Sequence, residues 1–408
     1  MSADDSTTSI TAVSVAVLVP RRIVVALVVG VFAIGAEALV ISPLLKELAA
    51  ATDTNIARAG LVVSAYGIAL ATIAPFSGLL SDLLSRRVAI IGGLFLFALA
   101  GIACAASQTF VNLIAARVLC GLSAGTFLPA CYAYVGDEVP YAVRARTMGQ
   151  VMSGWALAVV LGVPMGGLLG QWVGWRGAFL AVSAIALLAG LALLRLPATT
   201  PPRQAKISMR QAWRPAVLAL WEALRTPAVP LLLAVDFLEM FGFYGTYTYL
   251  GTYLQDTLLL GSGGAALLIM FEGLGTATTT LTARFLDQIG KERALFVALL
   301  LHAVVVMLLP DAITIHWTVL AFGLFVWGAL QGACMTCLNT IASQRAPAVR
   351  GSIMALMSCL TYSAVATSSA VLGPVYQNPA RGYPAIGIIC GLSLALAAGL
   401  FWQSRRFA

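Results

Sequence analysis

SAYGIALATIAPFSGLLSDLLSRR, residues 64–87, decides the fold once it is set beside IMFEGLGTATTTLTARFLDQIGKE, residues 269–292. At an offset of 205, Asp82 falls on Asp287 and Arg86 on Lys291. Near offset 206, Ala142-Val143-Arg144 aligns with Ala348-Val349-Arg350, and Met148 with Met354. At offset 207, Gly121 and Gly125 align with Gly328 and Gly332. Each match is weak alone, but their order and nearly constant spacing read as one duplicated unit.

The composition says what kind of unit this is. The 408 residues are 60% hydrophobic and 10% charged, whereas a soluble domain is roughly 25% charged. Mean hydropathy is +0.94. This excludes a cytosolic enzyme, a secreted disulfide scaffold and a disordered chain, and leaves a polytopic membrane protein. The net charge of +8 is therefore no argument for nucleic acid; the question is on which side of the bilayer the cations sit. Twelve stretches are long enough to cross the bilayer, at 23–45, 57–81, 88–107, 110–135, 146–170, 177–196, 229–253, 262–286, 293–311, 315–341, 350–374 and 383–403. The long gap, 197–228, opens with Pro197, Pro201 and Pro202 and continues as a basic amphipathic segment suited to lying on the inner leaflet. The expected fold is all-α, with twelve transmembrane helices in two pseudo-symmetric six-helix bundles. The bundles cover 23–196 and 229–403, with cytosolic tails at 1–22 and 404–408.

Orientation follows from the 24 Lys and Arg. With both termini cytosolic, nineteen are inside, four are outside (Lys46, Arg58, Arg176 and Arg381), and Arg117 lies within a span. Asp4 and Asp5 precede the first weakly apolar stretch and Arg21-Arg22 follow it, the reverse of a cleavable signal. The seven cysteines all fall in apolar segments and read as small packing residues without a disulfide.

At this point the chain resembles the major facilitator superfamily, and within it the twelve-helix drug/proton antiporter branch. The family's loop between spans two and three is Gly-x-x-x-Asp-Arg-x-Gly-Arg-Arg. Here Gly78, Asp82, Arg86 and Arg87 match, while Leu83 and Ser85 replace an Arg and a Gly. Span four carries Arg117, Gly121 and Gly125, similar to the family's Arg-Gly-Gly pattern, and Trp175-Arg176 resembles its start to span six. Span five carries Gly162-Val163-Pro164-Met165-Gly166-Gly167, a variant of the antiporter signature with Val163 inserted. The resemblance implies a major facilitator fold rocking between two openings. It implies gating by Gly78, Asp82, Arg86, Arg87 and Asp287, and a bend at Gly162, Pro164, Gly166 and Gly167.

Charge inside a span costs several kcal/mol and marks a site. Four acids lie well inside spans: Glu37, Asp236, Glu239 and Glu272. Glu37 sits ~12 Å and Arg117 ~10 Å below the outer ends of spans one and four, at 1.5 Å per residue. Equal depth predicts a pair, with Glu37 carrying the proton and Arg117 favouring its ionised form. Asp236 and Glu239 are three apart and share a face of span seven. Neither they nor Glu272 has a cation at matching depth in the second half, so they hold protons or await a cationic ligand. Phe243, Tyr244 and Tyr247, with Tyr66, Trp155, Trp327 and Gln331, supply apolar bulk, hydroxyls and π faces for such a ligand.

Other patterns carry less. Gly121-Leu122-Ser123-Ala124-Gly125 fits a hydrolase elbow without its strand-turn-helix context. Cys334-x-x-Cys337 has metal-ligand spacing without further paired ligands. The threonines of 276–280 read as helix packing, and no phosphate-binding loop for ATP is present. The expected activity is therefore transport rather than catalysis, with no cofactor, metal or nucleic acid. The chain is read as a proton-coupled exporter of small amphipathic, cationic compounds in a bacterial-type inner membrane. Its partners are protons, lipid and the small-molecule substrate, and a monomer suffices. Export of sugars, nucleosides or amino acids, and a non-transporting receptor, are the alternatives.

Overall fold

The computed structural model describes residues 20–76, 85–196, 209–345, 349–379 and 382–404. Among them, eleven helices are long and apolar enough to cross a bilayer. The shorter Ser262–Ala277, continued by Thr279–Ile289, completes twelve spans. Spans two to four are Ile56–Ile73 (continued by a 3-10 turn), Arg86–Ala106 and Phe110–Glu138. Span six is Trp175–Leu193 and span seven Val229–Leu258. Spans nine to twelve are Lys291–Ile315, Trp317–Arg345, Arg350–Gln377 and Gly382–Ser404. An even number of crossings puts Arg21 and Ser404 at one end of the bundle, here called the terminal face. Most helices overrun the expected apolar stretches by a turn, because the backbone stays helical where the side chains turn polar.

Three spans are broken, each for a local reason. Span one is two helices, Arg21–Leu39 and Ile41–Ala51. Pro43 has no N–H to offer the Leu39 carbonyl, and the Tyr247 hydroxyl of span seven donates to that carbonyl instead, at 3.4 Å. Span five runs Tyr141–Leu157, then a π turn over Ala158–Gly162, then Val163–Val173. Pro164 at the start of the third piece accounts for the widened turn. Span eight breaks at Thr278, whose hydroxyl bonds the Gly275 carbonyl at 2.6 Å and competes with the helix ladder. The threonine run thus interrupts the span rather than simply packing it.

The duplication is visible in the packing. A side chain at Gly121 would strike the backbone of Tyr66 on span two, and one at Gly328 would strike the backbone of Glu272 on span eight. Spans four and ten therefore lie against spans two and eight in the same way, as small residues permit in bilayers. The two units meet through spans two and eleven, one and seven, and five and eight. Among the described residues, the bonds joining them gather in the half away from the terminal face. Ser42 Oγ donates to Tyr247 O (2.5 Å), and Gln255 Nε2 to Pro43 O (2.8 Å). Ser64 Oγ donates to Ala366 O (2.8 Å), Ser262 Oγ donates to Gly167 O (3.1 Å), and Lys46 pairs with Asp256. The bundle is shut at that end. Between the units, helix Met209–Arg225 lies against spans seven and eleven. Arg225 covers the exposed Trp221 ring at 4.9 Å.

Candidate functional site: two buried acids flanking a tyrosine-lined seam

In the first unit, Glu37 and Arg117 form an ion pair through Oε1 and Nη1, and their side chains are 2% and 0% exposed. Arg117 Nε also donates to Val62 O at 3.2 Å, and its guanidinium lies 4.6 Å from the centre of the Tyr66 ring. Backbone, carboxylate and π face together hold the cation. Glu37 Oε2 and Arg117 Nη2 have no hydrogen-bond partner among the described residues. The Cys104 and Cys120 thiols adjoin the Glu37 carboxylate, the three donor atoms lying within 4.8 Å of one another.

In the second unit the acids are separated. Asp236, buried rather than interfacial, accepts a bond from Thr361 Oγ1 at 3.0 Å. Glu272 Oε1 accepts from Thr276 Oγ1 at 2.9 Å, and the same hydroxyl reaches Gly328 O at 3.1 Å. Glu239 is fully buried, and neither of its oxygens has a hydrogen-bond partner among the described residues. Gln331 is beside it but turns its Nε2 toward Met240 Sδ, 3.9 Å away.

The aromatic residues of span seven gather as the sequence suggests. Phe243 lies 5.1 Å from Tyr244, 5.8 Å from Tyr247 and 5.1 Å from Trp327, centre to centre. Trp327 was expected to line the cavity; it is instead wholly buried behind Phe243 and Tyr247. There its Nε1 donates to His302 Nε2 at 2.8 Å. Trp155, half-buried on span five, donates to the Tyr132 hydroxyl at 3.2 Å. Across the seam, Tyr66, Tyr132, Tyr244 and Tyr362 lie within electrostatic reach, with Tyr362 common to the other three. Sequence reading missed Tyr132, Tyr362 and His302, since each stands alone in its stretch.

The residues assigned to gating fall in different places. Gly78 and Asp82 lie outside the described residues. Arg86 pairs with Asp137 at the end of span four (3.1 Å), and Arg87 donates to Leu194 O (2.8 Å). Asp287 pairs with Lys291 one turn on, at 3.1 Å. Gly162 and Gly166 face Ala36 and Val40 of span one, while Gly167 faces Ser262 and Ala266 of span eight. Pro164 is buried beside them. This glycine seam seats span five between the two units.

Two six-span units, a polar-aromatic seam and buried acids on either side are the build of a membrane transporter. Residues 27–371 match the profile of the Major Facilitator Superfamily, and the chain belongs to that family. It is 38% identical over 371 residues to the uncharacterized MFS-type transporter YwfA of Bacillus subtilis (strain 168), covering 91% of this chain and 89% of that one. It is 27% identical over 297 residues to the quinolone resistance protein NorA of Staphylococcus aureus (strain MRSA252), covering 70% and 73%. The structure of a D-xylose-proton symporter superposes with a TM-score of 0.77 at 17% identity, covering 94% of this chain and 97% of that one. The last likeness is one of fold.

Proposed function

We propose that this transporter is a proton-driven antiporter exporting small amphipathic cations, with both termini in the cytosol of a bacterial cell and the terminal face open inward. The observation that carries the reading is the Glu239 carboxylate, fully buried without a hydrogen-bond partner among the described residues and within electrostatic reach of Tyr244, which packs with Phe243 and Tyr247 as an aromatic wall. A carboxylate there is stable only when protonated or when a cation arrives. Proton and cation therefore compete, and competition with two openings suffices for antiport. Glu37, already neutralised by Arg117, serves in this reading as the acid that loads and releases the driving proton. The resistance function in the name of the NorA relative points the same way. Six-span units at 23–196 and 229–403 would rock about the glycine seam, with Asp82, Arg86 and Arg87 latching the terminal face.

The test is proton movement in energised everted vesicles followed with a pH-sensitive dye, adding lipophilic cations and neutral sugars in turn. Cation-evoked proton efflux that vanishes in Glu37→Gln and in Glu239→Gln is the expected result. Proton flux with sugars alone, or none despite measured cation binding, would overturn the reading.

A further inference from the structure

His302 is fully buried in span nine, inside an apolar bundle where a histidine has no packing advantage over leucine. The Trp327 Nε1–H can only donate. Its bond to His302 Nε2 therefore makes that nitrogen an acceptor and places the ring proton of neutral His302 on Nδ1. An imidazolium would turn a second N–H against the indole N–H, so the ring stays neutral while this bond stands.

His302 Nδ1 is buried without a hydrogen-bond partner among the described residues, as are both oxygens of Glu239. Donor atoms of Glu239, His302 and Cys334 lie within 4.8 Å of one another. An unsatisfied N–H donor and an unsatisfied acceptor thus share one buried pocket. One side-chain torsion or one bridging water joins them.

Among the described residues, the neighbouring elements bring no cation to this pocket; the charges they bring are acids, with Glu272 of span eight beyond Tyr244 and Tyr247. Span seven contributes Glu239, and Asp236 one turn along, which accepts from Thr361 and lies within electrostatic reach of Glu239. Span ten contributes Cys334 and Trp327, and span twelve carries only Tyr383 and Cys390 among titratable groups. In Thr279–Ile289, Asp287 is at the terminal end and paired with Lys291.

The same tautomer decides between a proton and a metal. A metal-bound histidine donates its second N–H to an acceptor. Here the second nitrogen accepts, so a metal at Nδ1 would require an imidazolate.

We propose that His302 is the positioning residue of Glu239: fixed by Trp327 as an Nδ1–H donor, it steadies the Glu239 carboxylate and ties it to the aromatic wall. It does for the second unit, with a neutral group, what Arg117 does for the first. This deepens the antiport reading above and rests on it for its meaning. Because Trp327 packs on Phe243 and Tyr247, a ligand that displaces the indole lets the neutral ring move its proton from Nδ1 to Nε2, which weakens the hold on Glu239.

The experiment is an infrared pH titration of the purified full chain, following the protonated carboxyl band that disappears in Glu239→Gln. Loss of the donor in His302→Ala should keep that band at least about one pH unit further toward alkaline pH. His302→Asn, whose amide nitrogen falls near the Nδ1 position, should titrate within ~0.3 unit of the unmodified protein. It also controls for folding. Identical midpoints in all three proteins would overturn the proposal. So would stoichiometric binding of Zn²⁺ alone that is lost in both His302→Asn and Cys334→Ser, which would make the cluster a metal site. The titration involves no transport. Antiport can therefore fail in vesicles while this pairing holds, and the reverse.

Discussion

The two halves of this molecule pack alike and bury an acid in opposite ways. In the first, Glu37 meets Arg117, which a backbone carbonyl and the Tyr66 ring also hold. In the second, the position 207 residues beyond Arg117 is Leu324, and Glu239 lies buried without a cation among the described residues, beside His302, Cys334 and a second acid, Asp236. At the terminal face the halves keep the geometry and exchange the charges. Arg86 at the start of span three pairs with Asp137 at the end of span four, while Glu292 at the start of span nine pairs with Arg345 at the end of span ten, both at 3.1 Å. Partly exposed pairs tolerate such an exchange because either order is nearly as favourable beside water. A buried acid does not, so the loss of its cation in one half is what makes the halves chemically unequal.

The sharpest way to break this comparison is to neutralise each acid and measure thermal unfolding in detergent. Glu37→Gln leaves Arg117 buried and uncompensated, and should destabilise by roughly 3–5 kcal/mol. Glu239→Gln removes an unsatisfied carboxylate and should leave stability unchanged within about 1 kcal/mol, or raise it. Equal losses in the two variants would mean that the halves do not differ as described.

Next in size are the glycines that set span five between the units. Gly167→Ala would place a methyl against the backbone of Ser262 and against Ala266 on span eight. Its expected cost is about 1–3 kcal/mol, with slowed exchange between the two openings, measurable by inter-probe distances across the outer ends. Lys46→Ala removes one bond of the outer closure, the ion pair with Asp256. It should shift the same distance distribution toward outward opening by about 1 kcal/mol or less, since both side chains are half-exposed.

The smallest effect belongs to the charge-exchanged pairs. Asp137→Arg should cost less than ~1 kcal/mol, and adding Arg86→Asp should restore it. A large, unrestored loss would show that Arg86 works through another contact.

How much of this could be read before the structure depended on range. Glu37 and Arg117 were legible as a pair because helix rise alone fixes the depth of a residue in a span, and the first half offered one buried acid and one buried cation. The small-residue contacts of Gly121 and Gly328 were legible because duplication repeats them. Trp327 was assigned to the cavity from its type, and the structure sets it behind Phe243 and Tyr247 instead, because which face of span ten meets span nine is decided by tertiary packing. His302 could not be read at all. Its meaning needs spans seven, nine and ten at one point, and no spacing along the chain reports that convergence. Tyr132 and Tyr362 fail for the same reason. The break in span eight was present as a threonine run, but whether threonine hydroxyls turn back onto their own helix or outward is a local competition that the pattern leaves open.

The most direct measurement is calorimetric binding of tetraphenylphosphonium to the purified protein near pH 7, in two buffers of different ionisation enthalpy. If the unpartnered acid of the second half is where proton and cation compete, the unmodified protein releases up to about one proton per cation bound. In Glu239→Gln that release disappears, or the binding itself does. Cation binding of unchanged strength with no proton released in the unmodified protein, or with the same release in Glu239→Gln, would contradict the account.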